Sequence, residues 1–267
     1  MRLSLHGATG RMGLTLVRLA HAAGDIKVVG AACKSDDPGE GHDVGELAGV
    51  GALGVVATPD VALALLGADV VIDFSSASAV SALLSLAARQ GVAVVSGTTG
   101  LDRPAEQALA RAAESVAVLW APNMSLGIQV LAELVEHALR RLGPDYDAEI
   151  VEIHHSKKVD APSGTAKRLL SAAKSVRSAS SELHGRAGQV GARATNEIGV
   201  FALRGGDVIG DHTVHLLGPG ERLELTHRAT SRQNFAAGAL RAARFVAVKR
   251  ANGQVGLFGM ADVLGLA

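Results

Sequence analysis

In the first half of the chain, short apolar runs alternate with longer runs whose apolar residues have helical spacing. The short runs predict strands at 3–6, 27–33, 70–74, 92–96 and 116–120. The longer runs predict helices at 12–23, 58–66, 77–90 and 104–115. Because these strands lack a polar face, they are typical of a parallel sheet that helices cover on both sides. Segment 34–57 is rich in glycine and predicts a loop with at most one strand.

Cap residues indicate where these helices begin and end. Thr58 precedes Pro59, which predicts an N-cap followed by proline at the first helical position. Asp102 is the predicted cap of helix 104–115, and Gly91 is predicted to end helix 77–90.

The pattern changes after residue 125, where helices no longer alternate regularly with strands. The predicted elements are a helix at 125–142, a strand at 148–154, a helix end with a mobile loop at 171–189, three strands between 195 and 228 with turns at 204–207 and 218–221, and a helix at 232–248. Consecutive strands joined by short turns predict an antiparallel meander.

The fold class predicted from these patterns is α/β, with two domains. Residues 1–125 predict a Rossmann-like, doubly wound parallel sheet that binds a dinucleotide. Residues 126–234 predict a smaller α+β substrate domain with a mixed, largely antiparallel sheet. Segment 235–267 is predicted to return to the first domain and complete it.

Composition narrows the class of function. Lys and Arg balance Asp and Glu at 26 each, which gives no electrostatic reason to expect nucleic acid or an anionic membrane as a partner. Cys33 is the only cysteine, so neither an intramolecular disulfide nor a thiolate metal cluster can form. The N-terminus lacks the apolar region of a signal peptide, and the uncharged stretch 115–132 is interrupted by polar residues. We therefore expect a soluble, cytoplasmic protein with a small-molecule ligand.

A glycine loop follows the first predicted strand. In "LHGATGRMG", Gly7, Gly10 and Gly13 stand where a helix N-terminus would bind a pyrophosphate through free N–H groups. The spacing G-x-x-G-x-x-G is a weak motif by itself, and its place after the first strand of an α/β series strengthens it. The alternative is a plain tight turn.

The end of the second strand should show how an adenosine ribose is bound. The strand ends in "AACKSDD", with Lys34 where an acid for the 2′-hydroxyl is usual and Ser35 beside it. A cation and a hydroxyl suit a 2′-phosphate, which favours NADPH or dual use of NADPH and NADH. Asp36 or Asp37 restores the acid if the strand ends two residues later, and an ordinary exposed lysine is the other alternative.

Small polar residues also follow three later strands. They lie in "DFSS" at 73–76, "SGTTG" at 96–100 and "APNMS" at 121–125. Ligands of open α/β sheets lie over the carboxyl ends of the strands, so these loops are predicted to line the nicotinamide half of the cofactor site.

The segment "EIVEIHHSKKVDAPSGTAKRLL" concentrates proton-carrying and cationic groups before a helix. His154 and His155 point to opposite faces if they lie on a strand, and Lys158 follows in a loop. Ser163 is a predicted N-cap, and the N–H groups of Gly164 and Thr165 then face the same space. A helix N-terminus with lysine and histidine suits a carboxylate, and we expect the clustered positive charge to lower the histidine pKa.

Two other interpretations of this segment are open. A metal site is possible, but adjacent histidines on a strand diverge, and neither His212 nor His215 has a cysteine or a close carboxylate cluster in sequence. The cluster can also be a solvated loop.

Six motifs in order and spacing carry a resemblance over nearly the whole chain. They are "GATGRMG", "GTTG", "EIHHSKKVDAPSGTA", "RGGDVIGDHTV", "ERLELTHRATSR" and "MADVLGL". Together they resemble the 4-hydroxy-tetrahydrodipicolinate reductase (dihydrodipicolinate reductase) family. The resemblance implies reduction of 4-hydroxy-tetrahydrodipicolinate by NADPH or NADH to the dicarboxylate tetrahydrodipicolinate, with loss of water, on the path to diaminopimelate and lysine. It implies no metal and a homotetramer assembled through the second domain's sheet.

The resemblance also implies roles for individual residues. His154 and Lys158 correspond to proton-carrying residues, and His155 to a substrate contact. The substrate-binding set is His155, Ser163, Gly164 and Thr165. The cofactor-binding set is Gly7, Ala8, Thr9, Gly10, Arg11, Met12, Lys34, Phe74, Gly97, Thr98, Thr99, Ala121, Pro122, Asn123 and Met124. Lys34 departs from the family pattern, in which many members carry an acid.

Two rival functions fit parts of the pattern. A nucleotide-binding redox sensor needs the glycine loop but has no use for His154 or Lys158. Another two-domain reductase of aspartate-derived metabolites is compatible with the fold. A semialdehyde dehydrogenase needs a nucleophilic cysteine, and Cys33 is predicted at the wrong end of the cofactor.

Overall fold

The structure is a computed structural model that describes residues 1–266. It divides into two compact units, one formed by Met1–Met124 with the segment from Gln233 onwards, and the other by Ser125–Arg232. The strands are β1 (Arg2–His6), β2 (Lys27–Ala32), β3 (Val70–Asp73), β4 (Ala93–Ser96), β5 (Ala117–Trp120), β6 (Asp147–His154), β7 (Ser181–Leu183), β8 (Glu197–Arg204), β9 (Gly210–Gly218), β10 (Glu221–Ala229) and β11 (Gly256–Phe258). The helices are α1 (Arg11–Ala23), α2 (Val44–Ala48), α3 (Val61–Ala64), α4 (Ala77–Gln90), α5 (Arg103–Ala113), α6 (Leu126–Leu142), α7 (Gly164–Val176), α8 (Gln233–Ala251) and α9 (Met260–Leu264).

The first unit contains a six-stranded parallel sheet. Its order is β11-β5-β4-β3-β1-β2, so the strand order reverses beside β1. All residues of β3 and β4 are buried, as expected for strands covered on both faces. The predicted doubly wound sheet is thus confirmed, with β11 as an additional edge strand that the sequence pattern did not indicate.

Helix α8 packs in the first unit although it follows the second unit in the chain. It contacts β3, β4, β5 and α1. At the closest approach, a Cβ placed on Gly238 would lie 1.8 Å from the carbonyl oxygen of Met124, so only glycine fits there.

Two local predictions in the first unit are wrong. The N-cap of α3 is Asp60, whose carboxylate accepts a hydrogen bond from Leu63 N, whereas Thr58 forms a bridge with Ala32. Aspartate is preferred to threonine as an N-cap, and here its carboxylate accepts from a free N–H group of the first helical turn. Segment 34–57 contains the short helix α2, which Asp43 caps by accepting from Gly45 N.

The second unit contains a five-stranded mixed sheet in the order β10-β9-β6-β8-β7. Strands β9 and β10 form an antiparallel hairpin, but β8 pairs in parallel with β6 and β7. The predicted three-stranded meander is therefore wrong, because β6 lies between β8 and β9. The connection from β8 to β9 crosses the end of β6, where Gly205 N donates to His154 O and His155 N donates to Val208 O.

The inner face of this sheet packs against α6 and α7. Alternate residues of β6 point inward, beginning with Ala148 and Ile150 and ending with Glu152 and His154. The apolar half of the strand joins the core, and the polar half extends that buried face to the N-terminus of α7. Strand β7 was missed within the predicted loop 171–189 because it is only three residues long and Ser181 and Glu182 are polar and exposed at the sheet edge.

Candidate functional site

The glycine loop of the first unit is held by close backbone approaches. Gly7 has φ 79°, and a Cβ on it would lie 2.6 Å from the carbonyl oxygen of Phe74. A Cβ on Gly13 would lie 2.3 Å from the carbonyl oxygen of Ala8. Both positions therefore require glycine, and the loop turns directly from β1 into α1.

The N-terminus of α1 is free to receive an anion. Its N-cap is Gly10, which supplies no side-chain hydrogen bond to the first turn, and the first turn has no acidic residue. Gly10 and Arg11 are exposed. Backbone N–H groups and the positive end of the helix dipole therefore offer a site that fits a dinucleotide pyrophosphate.

A buried carboxylate joins the strand ends beside this loop. Asp73 is fully buried at the end of β3, and its oxygens contact His6 Nδ1 at 2.8 Å, Ser96 Oγ at 2.7 Å and Thr98 Oγ1 at 2.8 Å. Although burial raises the pKa of Asp73, the bonds from His6 and the hydroxyls hold it below its ordinary value. This network fixes the ends of β1, β3 and β4 relative to one another.

The residues predicted to bind the cofactor lie in the loops after β1, β2, β3, β4 and β5, except Arg11 and Met12, which begin α1. The structure brings Gly7, Phe74 and Gly97 into contact, since a Cβ on Gly97 would lie 2.3 Å from the Phe74 ring. Ala8, Thr98, Ala121 and Met124 are buried, and the Thr98 hydroxyl is committed to Asp73. The half-buried members are Thr9, Met12, Phe74 and Asn123, and the exposed ones are Thr99, Pro122 and Lys34.

The polar end of β6 forms the candidate site of the second unit. Glu152 is fully buried, and His154 is 8% exposed. Glu152 Oε1 accepts from Ser163 N at 2.8 Å and lies 3.1 Å from Arg204 Nη2, while Oε2 contacts His154 Nδ1. One carboxylate thus joins β6, β8 and the start of α7.

Ser163 caps α7 as predicted, since its hydroxyl accepts from Ala166 N at 3.1 Å. The same hydroxyl lies 3.1 Å from Nε2 of buried His212, which stands opposite Glu152 on β9. The rings of His154 and His212 meet edge to face, 5.1 Å between centroids. The Ser163 side chain is therefore part of the internal network, while Gly164 is exposed and Thr165 is half-buried.

Burial determines the protonation of both inner histidines. It lowers the pKa of His154, with Glu152 opposing the shift and Lys158 and Arg204 adding to it. Burial likewise lowers the pKa of His212 to about 4. The expected direction of the shift is correct, but desolvation rather than clustered charge is its main cause. Both rings are therefore neutral at pH 7.

Lys158 and His155 lie at the rim of this cluster. Lys158 Nζ is 2.7 Å from Asp160 Oδ1, and its side chain is 19% exposed. His155 follows the end of β6 and is half-buried. Arg204 also donates to Asp160 O at 2.7 Å, so the 158–160 loop is attached to β8.

The cluster also contains the donor atoms of a potential metal site. Glu152, His154 and His212 each place one ligand atom within 4.8 Å of the others. The expectation that His212 has no nearby carboxylate is wrong, because β9 pairs with β6 and places His212 opposite Glu152. The donor atoms already contact one another, Arg204 and Ser163, and the neighbouring cations oppose a metal ion.

Sequence reasoning missed Glu152, Asp160, Arg204 and the inner position of His212. Glu152 carries a local signal, because residues two apart on a strand share a face and His154 was already singled out. Arg204 and His212 lie on other strands, so only the order of the sheet brings them here.

Comparison with known proteins agrees with this geometry. Residues 1–124 match the family described as "Dihydrodipicolinate reductase, N-terminus", and residues 127–264 match its C-terminus. The chain belongs to the dihydrodipicolinate reductase family. The 4-hydroxy-tetrahydrodipicolinate reductase of Anaeromyxobacter sp. (strain Fw109-5) is 52% identical, covering 97% of this chain and 96% of its own. That of Myxococcus xanthus is 47% identical, covering 99% and 98%.

Solved structures share the fold of this member of the dihydrodipicolinate reductase family. A dipicolinate-bound dihydrodipicolinate reductase from Paenisporosarcina sp. TG-14 has a TM-score of 0.74 at 23% identity, covering 98% of each chain. GenD2 from gentamicin A biosynthesis, solved with NAD, has a TM-score of 0.63 at 14% identity, covering 100% of this chain and 90% of that one. No helix within residues 1–266 is long and apolar enough to cross a membrane.

The lowered pKa of His212 predicts a loss of stability in acid. A histidine whose pKa is about 4 in the folded chain and about 6.5 in the unfolded chain stabilises the fold above pH 6.5 and loses that contribution as the pH falls towards 4. The contribution amounts to about 3 kcal/mol of unfolding free energy. His212→Gln should therefore flatten this part of the pH dependence in urea unfolding. Exposed His137, on α6 of the same unit, supplies the control His137→Gln, and an equal acid loss in both variants would contradict the assignment.

Proposed function

We propose that this chain reduces 4-hydroxy-tetrahydrodipicolinate to tetrahydrodipicolinate with NADPH or NADH, with loss of water, in diaminopimelate and lysine biosynthesis. The observation that carries the proposal is the cluster at the end of β6. There, Glu152 joins His154 to the start of α7, and Lys158 follows in the next loop, in a chain whose two halves both match the family. The cluster can hold a carboxylate and move a proton, which are the two tasks this reduction sets.

The first unit would hold the dinucleotide. The uncapped start of α1 fits the pyrophosphate, and the loops after β3, β4 and β5 stand at the same sheet edge, where the nicotinamide half would lie. The bound nicotinamide supplies the hydride. Exposed Lys34, after β2, would contact a 2′-phosphate, and this is our reason for favouring NADPH.

The second unit would hold the dicarboxylate. Gly164 and Thr165 begin α7, and their N–H groups stand at the positive end of its dipole, where a substrate carboxylate is stabilised. Lys158 is partly exposed, so its Nζ can contact the same carboxylate or donate a proton. His155 lies at the rim as a further substrate contact. No metal takes part in this proposal.

His154 is the proposed proton carrier beside the ring. Its ring is neutral at pH 7, so it can accept a proton from Lys158 or from water and pass it on as the ring is reduced. A positioned acid–base group of this kind contributes about 10²- to 10⁴-fold to a rate.

The rival semialdehyde dehydrogenase lacks a nucleophile in this structure. Cys33 is 6% exposed, and burial together with Asp37 and Glu40 raises the pKa of its thiol. A buried thiol with a raised pKa is inert as a nucleophile.

The proposal includes a homotetramer assembled through the outer face of the second sheet. This outer face carries Val151, Ile153, Phe201, Leu203 and Leu217, while α6 and α7 pack on the inner face. Leu203 is 47% and Leu217 is 37% exposed in the single chain. Apolar area of this kind favours contact with another copy.

The first test is substrate-dependent oxidation of NADPH and of NADH, with substrate prepared from pyruvate and aspartate semialdehyde by the synthase that precedes this step. We expect oxidation of both cofactors, with a higher kcat/KM for NADPH.

The Lys34→Ala variant tests the cofactor preference. It should lower kcat/KM for NADPH by about tenfold and leave kcat/KM for NADH unchanged, since a lost charged hydrogen bond costs about 1.5 kcal/mol. Exposed Lys27, at the other end of β2, gives the control Lys27→Ala. Folded protein that binds nucleotide without oxidising it would favour the redox-sensor function.

Variants of the cluster separate binding from proton transfer. His154→Ala should lower kcat by about 100-fold with little change in substrate KM, because it removes a proton carrier. Lys158→Ala should raise KM and lower kcat together, because its charge serves both tasks. Exposed Lys157 next to it gives the control Lys157→Ala. Near-normal rates in both His154→Ala and Lys158→Ala would exclude this site assignment.

Leu203→Glu tests the homotetramer. A charge on the outer face should shift the mass measured by light scattering from tetramer towards smaller species, because an unpaired charge cannot be buried at low cost. Val248 on α8 of the first unit is also exposed, so Val248→Glu adds the same charge there and should leave the mass unchanged. A monomeric wild-type chain would refute the proposed assembly.

A further inference from the structure

We propose that Glu152 is the positioning residue of this site, where its carboxylate keeps the proton of neutral His154 on Nδ1 and ties the imidazole to the first turn of α7. The inference rests on the proposed function only in making His154 the proton carrier. The contacts of Glu152 with Ser163, Arg204 and His154 are present in the structure whatever reaction the chain catalyses.

Glu152 has no access to solvent, so protein groups must replace its hydration. Three groups surround its carboxylate. These are Ser163 N at 2.8 Å, Arg204 Nη2 at 3.1 Å, and His154 Nδ1, in contact with Oε2. Although burial raises the pKa of Glu152, these partners hold it below its ordinary value, and the group is ionised.

An ionised carboxylate accepts hydrogen bonds and cannot donate one. A neutral His154 next to it therefore carries its proton on Nδ1, and Nε2 is left with a lone pair. The Nε2 atom has room because residue 210 is glycine, where a Cβ would lie 3.0 Å away. Gly210 does not have a positive φ, so its backbone conformation does not require glycine. The free space beside Nε2 is what a side chain at position 210 would remove.

The same carboxylate also fixes the proposed carboxylate-binding turn. Ser163 N donates to Glu152, and Ser163 Oγ caps α7 while contacting His212 Nε2. His154 and the start of α7 are therefore held by one group. A shift of Glu152 would move the proton carrier relative to the substrate carboxylate.

Several charges face His154, and Glu152 is the one that favours its protonation. Lys158 and Arg204 oppose protonation, as does burial, and His212 lies against the ring. Asp160 pairs with Lys158 at the rim. Loss of the Glu152 charge should therefore move any pH limb of kcat that titrates with His154 to lower pH.

Glu152→Gln is the test, and Glu149→Gln is its matched control. Glu149 lies on the same strand, is 9% exposed, and is paired with Arg186 and Arg193 on the opposite face of the sheet. Both variants replace one buried, arginine-paired carboxylate by an amide of the same shape. The folded fraction of each variant is measured by circular dichroism, and kcat is calculated per folded chain. A general loss of stability then does not appear as a loss of kcat.

We expect Glu152→Gln to lower kcat by about 100-fold with a change in substrate KM below threefold, and to shift the pH limb of kcat to lower pH. Glu149→Gln should keep kcat and the pH profile. Gly210→Ala should lower kcat in the same direction, since its Cβ presses on Nε2. Unchanged kcat and pH profile in Glu152→Gln would overturn the proposal.

A second measurement does not depend on turnover. Long-range ¹H–¹⁵N spectra of the histidine side chains report which ring nitrogen carries the proton. Wild-type His154 should be the Nδ1–H form, and Glu152→Gln should give a mixture of both forms, because an amide can donate or accept. An Nε2–H form in the wild type, or an unchanged form in Glu152→Gln, would overturn the proposal even if the chain reduced no substrate. An inactive wild type with the expected spectra would instead reject the proposed function alone.

A metal at the same atoms would be a competing explanation. Zn²⁺ held by Glu152, His154 and His212 would take a Glu152 oxygen as a ligand, so that the metal rather than the carboxylate would position His154. Activity that falls on treatment with a chelator and returns with added Zn²⁺ would therefore overturn the proposal. Unchanged activity after chelation supports it.

Discussion

A carboxylate without access to water persists in a folded chain only where hydrogen bonds and positive charge replace its hydration. Glu152 meets this constraint with an arginine, a backbone N–H and an imidazole taken from three different elements. The constraint acts in both directions. The carboxylate needs these partners, and each partner loses its position when the carboxylate is absent, so β6, β8 and α7 are fixed together at the place where the chemistry is proposed.

The first unit uses the same device at the end of β3. Asp73 is fully buried and gathers His6, Ser96 and Thr98 from the ends of neighbouring parallel strands. These strand ends carry the loops that would hold the dinucleotide. In each unit, therefore, one buried acid holds neighbouring elements and loops together. Such polar networks rigidify a site when every member has a partner.

The sequence predicted what local pattern encodes. The five buried strands, the cap Asp102, the stop at Gly91 and the cap Ser163 are each set by neighbouring residues. It did not predict the order of the second sheet, because the side-chain pattern of β8 is the same whether it pairs with β9 or with β6. That order places Arg204 and His212 against His154. The residues of the 154–165 segment were therefore predicted from the sequence, whereas the buried partners from β8 and β9 follow only from the order of the sheet.

Burial also divides the work between His154 and Lys158. Desolvation keeps His154 neutral at pH 7, so it cannot supply the positive charge that a dicarboxylate substrate needs. Lys158 stays at the partly exposed rim, where its Nζ pairs with Asp160. A neutral, oriented imidazole inside and a lysine at the rim let one residue transfer a proton while the other binds charge. A buried lysine at the position of His154 would lose the imidazole's ability to accept a proton at one ring nitrogen while the other is held, and burial would lower its pKa.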